Sequence, residues 1–142
     1  MTALNRLFDK LPADIAQLLA RLLAGLVFFR SGLAKIDGFA VKDTTFLLFE
    51  DQFALPLIPP EAAAYMATAA EFTLPLLLWV GLFSRIAATG LLIMTLVIQV
   101  FVYPGSYETH GLWAVALLLV MTFGPGRLSL DYLLGWDRGR GA

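Results

Sequence analysis

The chain has no cysteine and a single histidine, His110. The first absence excludes disulfides, a thiolate nucleophile and iron–sulfur or zinc–thiolate sites. The second excludes bis-histidine haem ligation within one chain. No metal site and no covalently bound cofactor are expected. Charge is also scarce: 15% of residues are Asp, Glu, Lys or Arg, and the formal net charge is -1. Such a balance supplies no basic field for nucleic acid. P-loop, dinucleotide fingerprint and nucleophile-elbow motifs are missing, and the broken helices of inverted-repeat transporters are not evident, although transport as such stays open. Redox chemistry in this chain would need a bound organic molecule or a partner subunit.

What the chain has is apolar length. Hydrophobic residues make up 59% and the mean hydropathy is +0.78, against roughly 45–50% apolar residues in soluble domains. The pattern predicts an all-α integral membrane four-helix bundle in the lipid bilayer, a single domain over residues 1–142 with spans near 15–36, 62–83, 86–104 and 110–130. The first span, IAQLLARLLAGLVFFRSGLAKI, is interrupted by Arg21, Arg30 and Lys35. It resembles a signal peptide only superficially, since charges lie inside the apolar run and no small-residue cleavage site follows. Pro59-Pro60 precede the second span and Pro104-Gly105 stop the third. In the fourth, GPGR breaks or ends the helix after Phe123, and LSLDYLLGW reads as a short interfacial continuation.

The one long connection, Asp37 to Glu61, mixes Phe46, Leu47, Phe49 and Phe53 with Asp43, Glu50 and Asp51. That mixture predicts a short amphipathic element that rests on the membrane surface or caps the bundle. Lys and Arg concentrate on one side: Arg6 and Lys10 before the first span, Arg85 between the second and third, and Arg127, Arg138 and Arg140 after the fourth. The positive-inside rule then predicts cytoplasmic termini in a bacterial inner membrane, with the long loop outside.

Counting 1.5 Å per helical residue places Glu71 about 13 Å, Arg30 about 9 Å and Gln99 about 7 Å from the outer ends of their spans. His110 stands at the mouth of the fourth. A carboxylate facing lipid would cost several kcal/mol or would protonate, so Glu71 should face inward and meet a cation, with Arg30 the expected partner. The pair has two readings, a substrate or proton site and a register-fixing clamp. Lys35 could equally snorkel to the headgroups and His110 could be a surface or capping group. Trp79, Trp113 and Trp136 read as interface anchors and packing residues, and Gly25, Gly32, Gly81 and Gly90 suit close helix approach. Asp131 is expected to pair with Arg85 or Arg127 at the cytoplasmic face.

The pieces RLLAGLVFFRSGLAKI, AEFTLPLLLWVGLFSRIAATGLLIMTLVIQ and HGLWAVALLLVMTFGPGRLSLDYLLG resemble, in order and spacing, the DoxX family of small four-span bacterial membrane proteins. The matching positions are Arg30, Gly32, Lys35, Glu71, Arg85, His110, Gly124, Gly126 and Asp131. The resemblance implies a membrane subunit associated with thiosulfate:quinone oxidoreductase chemistry. Together with the polar layer it makes the expected function the handling of a quinone or a small anionic or redox-active substrate beside a partner subunit, or in a homo-oligomer. Arg30, Lys35, Glu71, Gln99 and His110 are the expected substrate-binding residues. Catalysis by the chain itself stays undecided. The competing expectation is a non-catalytic carrier, scaffold or cargo receptor that uses the same pocket.

Overall fold

The computed structural model describes residues 12–137. Arg6, Lys10, Arg138 and Arg140, on which part of the orientation argument rests, lie outside the described residues. Four long helices form the body: α1 (Ala13–Lys35), α3 (Pro60–Val80), α4 (Ser84–Phe101) and α5 (Tyr107–Phe123). Between α1 and α3 come a two-residue antiparallel pair, β1 (Ile36–Asp37) with β2 (Ala40–Val41), and the short helix α2 (Asp43–Asp51). A single turn, α6 (Leu130–Leu133), follows α5. By length and apolar composition α1, α3 and α4 can each cross a membrane, while α5 is an apolar helix of 17 residues. At 1.5 Å per residue α5 still extends about 26 Å.

The helices close a ring in which α1 packs on α3 and α5, and α4 packs on the same two neighbours. Spacing in the sequence explains which faces turn inward. On α3 the buried residues Ala64, Thr68, Glu71, Pro75 and Leu78 alternate four and three apart, the seam of a helix packed along its length. On α1, Arg21, Phe28 and Lys35 recur every seventh residue and all are buried. Outward-facing positions are apolar, as lipid contact requires: Leu23, Met66, Ile86, Ile93 and Val100 are among the exposed large hydrophobics.

The two ends of the bundle are built differently. At one end a short connection joins α3 to α4, and we refer to this as the tight-turn end. Gly81 occupies the left-handed region at φ 70°, where a side chain would be strained. Here Arg21 donates from Nε to Leu78 O at 2.7 Å, from Nη1 to Pro125 O at 2.8 Å and Leu128 O at 2.9 Å, and from Nη2 to Trp79 O at 2.9 Å. It thereby caps the last carbonyls of α3, which no helical N–H can reach. Asp131 accepts from the backbone N–H of Phe83 and of Ser84, each at 2.8 Å, and so caps the start of α4. The expected ion pair of Asp131 with Arg85 or Arg127 does not form, because each arginine is paired with another carboxylate. Arg85 instead makes a two-pronged bridge to Asp137, 3.1 Å at each nitrogen, and donates to Met121 O and Thr122 O. Arg127 bridges to Asp14 at 2.7 Å.

The other, long-loop end carries α2, which is amphipathic as expected. Its Thr45 and Phe49 are buried, and Phe49, Ala63 and Ala64 form a small apolar cluster with Phe46, Phe53 and Ile58 around it. The β1–β2 hairpin that leads into α2 has no counterpart in the sequence reading.

Candidate functional site at the long-loop end

Under α2 lies a cavity of about 670 Å³ with contributions from all four long helices. Its walls are mostly apolar: Val27, Phe28, Ala67, Met94, Val97 and Trp113 are typical. Phe49 of α2 and Phe53 just after it line its upper wall, stacked on each other with ring centroids 5.0 Å apart. Tyr103 donates to Gln52 Oε1 at 3.2 Å, tying the end of α2 to the end of α4.

The polar groups gather at one side. Lys35 Nζ lies 2.8 Å from Glu71 Oε2 and 3.0 Å from Oε1, and also donates to Ser31 Oγ at 2.8 Å. Ser31 Oγ donates in turn to Glu71 Oε1 at 3.0 Å. The expected partner of Glu71, Arg30, makes no hydrogen bond or ion pair to any described residue; it is exposed and reaches the rim of the cavity. Two features of helix geometry explain the exchange. Arg30 and Lys35 are five residues apart, so they point about 140° from each other around α1. Helical side chains also lean toward the N-terminus. At the C-terminal end of α1 that lean carries the Lys35 ammonium inward, over Ser31 and onto Glu71, rather than outward to the headgroups.

Close approach of the two helices is part of the same construction. A Cβ on Gly32 would stand 3.2 Å from the Cβ of Glu71, so glycine lets α1 and α3 meet at the level of the carboxylate. Pro75, four residues beyond Glu71 within α3, lacks the N–H that the Glu71 carbonyl accepts in a regular helix.

His110, 6% exposed, lines the cavity on the α5 side. Its Nδ1 is 2.7 Å from Gln99 Oε1, and its ring lies 5.0 Å from that of Trp113. Gln99 is held by its own donation to Pro104 O at 2.6 Å. Four of the five expected site residues, Arg30, Lys35, Glu71 and His110, line the cavity; Gln99 stands behind His110. Sequence reasoning missed Ser31, whose position one turn before Lys35 was the available signal, and Trp113, one turn after His110.

The cavity also has a side. Met66 and Ile93 line it while being 61% and 57% exposed on the outer surface of the bundle. They flank the seam between α3 and α4, where Ala67 and Ala70 are small, and both sit within the apolar length of their helices. At the tight-turn end, in contrast, lies a recess of about 400 Å³ bordered by Asp14, Gln17 and Arg127, all already hydrogen-bonded.

The profile of the DoxX family matches residues 16–104. An uncharacterized protein of Haemophilus influenzae is 31% identical over 132 residues, which is 86% of this chain and 85% of that protein. No solved structure matches the chain at a significant level.

Proposed function

The chain belongs to the DoxX family of membrane proteins, and from that premise we propose that it is a quinone-handling subunit, or one for a similarly small lipid-soluble redox molecule, that works beside a catalytic partner in a thiosulfate:quinone oxidoreductase-like system. The observation that carries this reading is the make-up of the cavity: apolar walls, a few polar groups, and two lining residues, Met66 and Ile93, that are also exposed on the outer, apolar surface of the bundle. A molecule with an apolar ring or tail and a few oxygen atoms fits that distribution. The seam between Met66 and Ile93 offers such a molecule a path from hydrocarbon without crossing water.

The residues divide the work by position. Arg30 at the rim is the free cation and would meet an oxygen or a negative charge on a ligand entering or leaving. Lys35 is compensated by Glu71, so the two present a neutral pair rather than a net positive charge, and this disfavours a small anion as the deeply bound species. The Glu71 carboxylate lies within the membrane and beside open space, the placement from which a group can exchange protons with a ligand. With the termini cytoplasmic under the positive-inside rule, the cavity opens near the outer face of a bacterial inner membrane.

Gentle detergent extraction followed by solvent extraction and absorbance tests this reading. Stoichiometric quinone in the purified protein supports it. Absence of quinone, together with failure to bind an added short-chain analogue, favours the alternative of a non-catalytic carrier or scaffold. Reporter fusions after Asp51 and at Ala142 should mark opposite sides of the membrane; both on one side would overturn the orientation.

A further inference from the structure

We infer that the His110 side of the cavity selects a hydroxyl-bearing ligand, the reduced hydroquinone or a phenol of like shape, with His110 Nε2 accepting the O–H and Gln99 holding the ring in the tautomer that permits it. The inference rests on the proposed cavity function and narrows its ligand class.

The starting point is Pro104 O, which can only accept. The Gln99 amide nitrogen must therefore face it, as the 2.6 Å contact shows, and the amide oxygen must face His110. An amide oxygen also only accepts, so across the 2.7 Å contact the proton belongs to Nδ1. In the neutral ring the lone pair then sits on Nε2. Nε2 has no partner among the described residues. It is not sealed off either, since Ser84 Oγ is the one buried side-chain N or O atom among the described residues that lacks a hydrogen bond. A ring that is 6% exposed and lines the cavity thus turns an open acceptor toward it.

Apart from Arg30 at the rim, the other polar groups of the cavity are already engaged with one another. The Lys35 ammonium has three N–H groups, and Glu71 Oε1, Glu71 Oε2 and Ser31 Oγ satisfy them. Ser31 has given its proton to Glu71, and Tyr103 has given its own to Gln52. Carboxylate oxygens have lone pairs to spare. What remains open beside His110 is therefore the Nε2 acceptor, next to the Trp113 indole N–H, which has no partner among the described residues. A quinone carbonyl, itself an acceptor, can take the indole N–H but leaves Nε2 unpaired, whereas a hydroxyl can accept from the one and donate to the other. Sites built to hydrogen-bond a hydroxyl discriminate strongly against analogues that lack it, because the buried polar group is then left unpaired.

The test compares a decyl-substituted hydroquinone with the corresponding quinone, titrated anaerobically into full-length protein in lipid nanodiscs. The wild type should bind the hydroquinone about tenfold or more tightly. His110→Phe should bring the two affinities together by weakening only the hydroquinone. Gln99→Leu should shrink the ratio. The ratio of the two affinities is a readout that a purely structural role would not move, and the wild-type ratio alone is decisive should the variants fail to fold. Equal binding, or tighter binding of the quinone, overturns this inference and leaves the quinone-handling reading standing. Binding of neither form overturns both.

Discussion

Arg21 and Lys35 lie on one stripe of α1, fourteen residues apart and both buried, yet they are satisfied in different ways. Arg21, at the tight-turn end, is surrounded by four backbone carbonyls at 2.7 to 2.9 Å. Four of its five N–H groups are used, and the carbonyls it serves belong to the end of α3 and the segment after α5. Lys35, at the long-loop end, is held by side chains, Glu71 and Ser31, beside a cavity. The carbonyls around Arg21 cannot move without disturbing the end of α3 or the turn after α5, whereas side chains can rearrange. The lesson is that a buried cation marks a functional site only when its partners are mobile groups next to space; among carbonyls it is a cap.

The largest effect that would break this contrast is expected at Arg21. Arg21→Leu should cost about 4 kcal/mol, because buried carbonyls are left unpaired. Thermal unfolding in detergent measures it, and the folded fraction should still bind the quinone analogue. Next comes the ion pair. Glu71→Gln or Lys35→Gln alone should each cost about 3 kcal/mol by stranding the other charge. The double variant should regain most of that stability without regaining ligand affinity. Rescue of both would make the pair an architectural clamp and erase the difference between the two ends.

A smaller effect is expected at the side opening. Ala70→Leu, on the α3 side of the seam, should slow ligand association about tenfold while changing stability by less than about 1 kcal/mol. Stopped-flow association from preloaded vesicles reads it, and an unchanged rate would mean that entry lies elsewhere. The smallest effect is expected at Arg30, where Arg30→Gln should leave stability within about 0.5 kcal/mol of wild type, since the side chain is exposed and unpaired. A large loss there would restore the pairing with Glu71 that the structure replaces with Lys35.

The existence and order of the four helices, the amphipathic character of 43–51 and the inward Glu71 were legible because each follows from composition and period. The wrong partner for Glu71 came from comparing depths alone. The seven-residue recurrence of Arg21, Phe28 and Lys35 was present in the sequence and separates Lys35 from Arg30 by angle, and it also marks Arg21 as buried. The role of Arg21 could not be read so directly, since carbonyl groups carry no sequence signal and their positions depend on how α3 and the 124–129 segment end. Gln99 was recognised as polar and at the right depth. That it holds His110 instead of facing the cavity depends on the turn at Pro104, which brings a carbonyl back over the end of α4.

Lys35 also has a backbone. Its carbonyl accepts from the Lys42 N–H at 3.0 Å and from Thr45 Oγ1 at 2.9 Å, so the residue that ends α1 and grips Glu71 also anchors the hairpin and the first turn of α2. The helix over the cavity and the charge within it are therefore not independent degrees of freedom. A ligand that drew Glu71 away from Lys35 would act on the residue that holds α2, and a displacement of α2 would act on the residue that holds the ion pair. By thermodynamic reciprocity the two events share one coupling free energy. A docking partner on the surface of α2 would thus tune the affinity of the cavity without touching its contents.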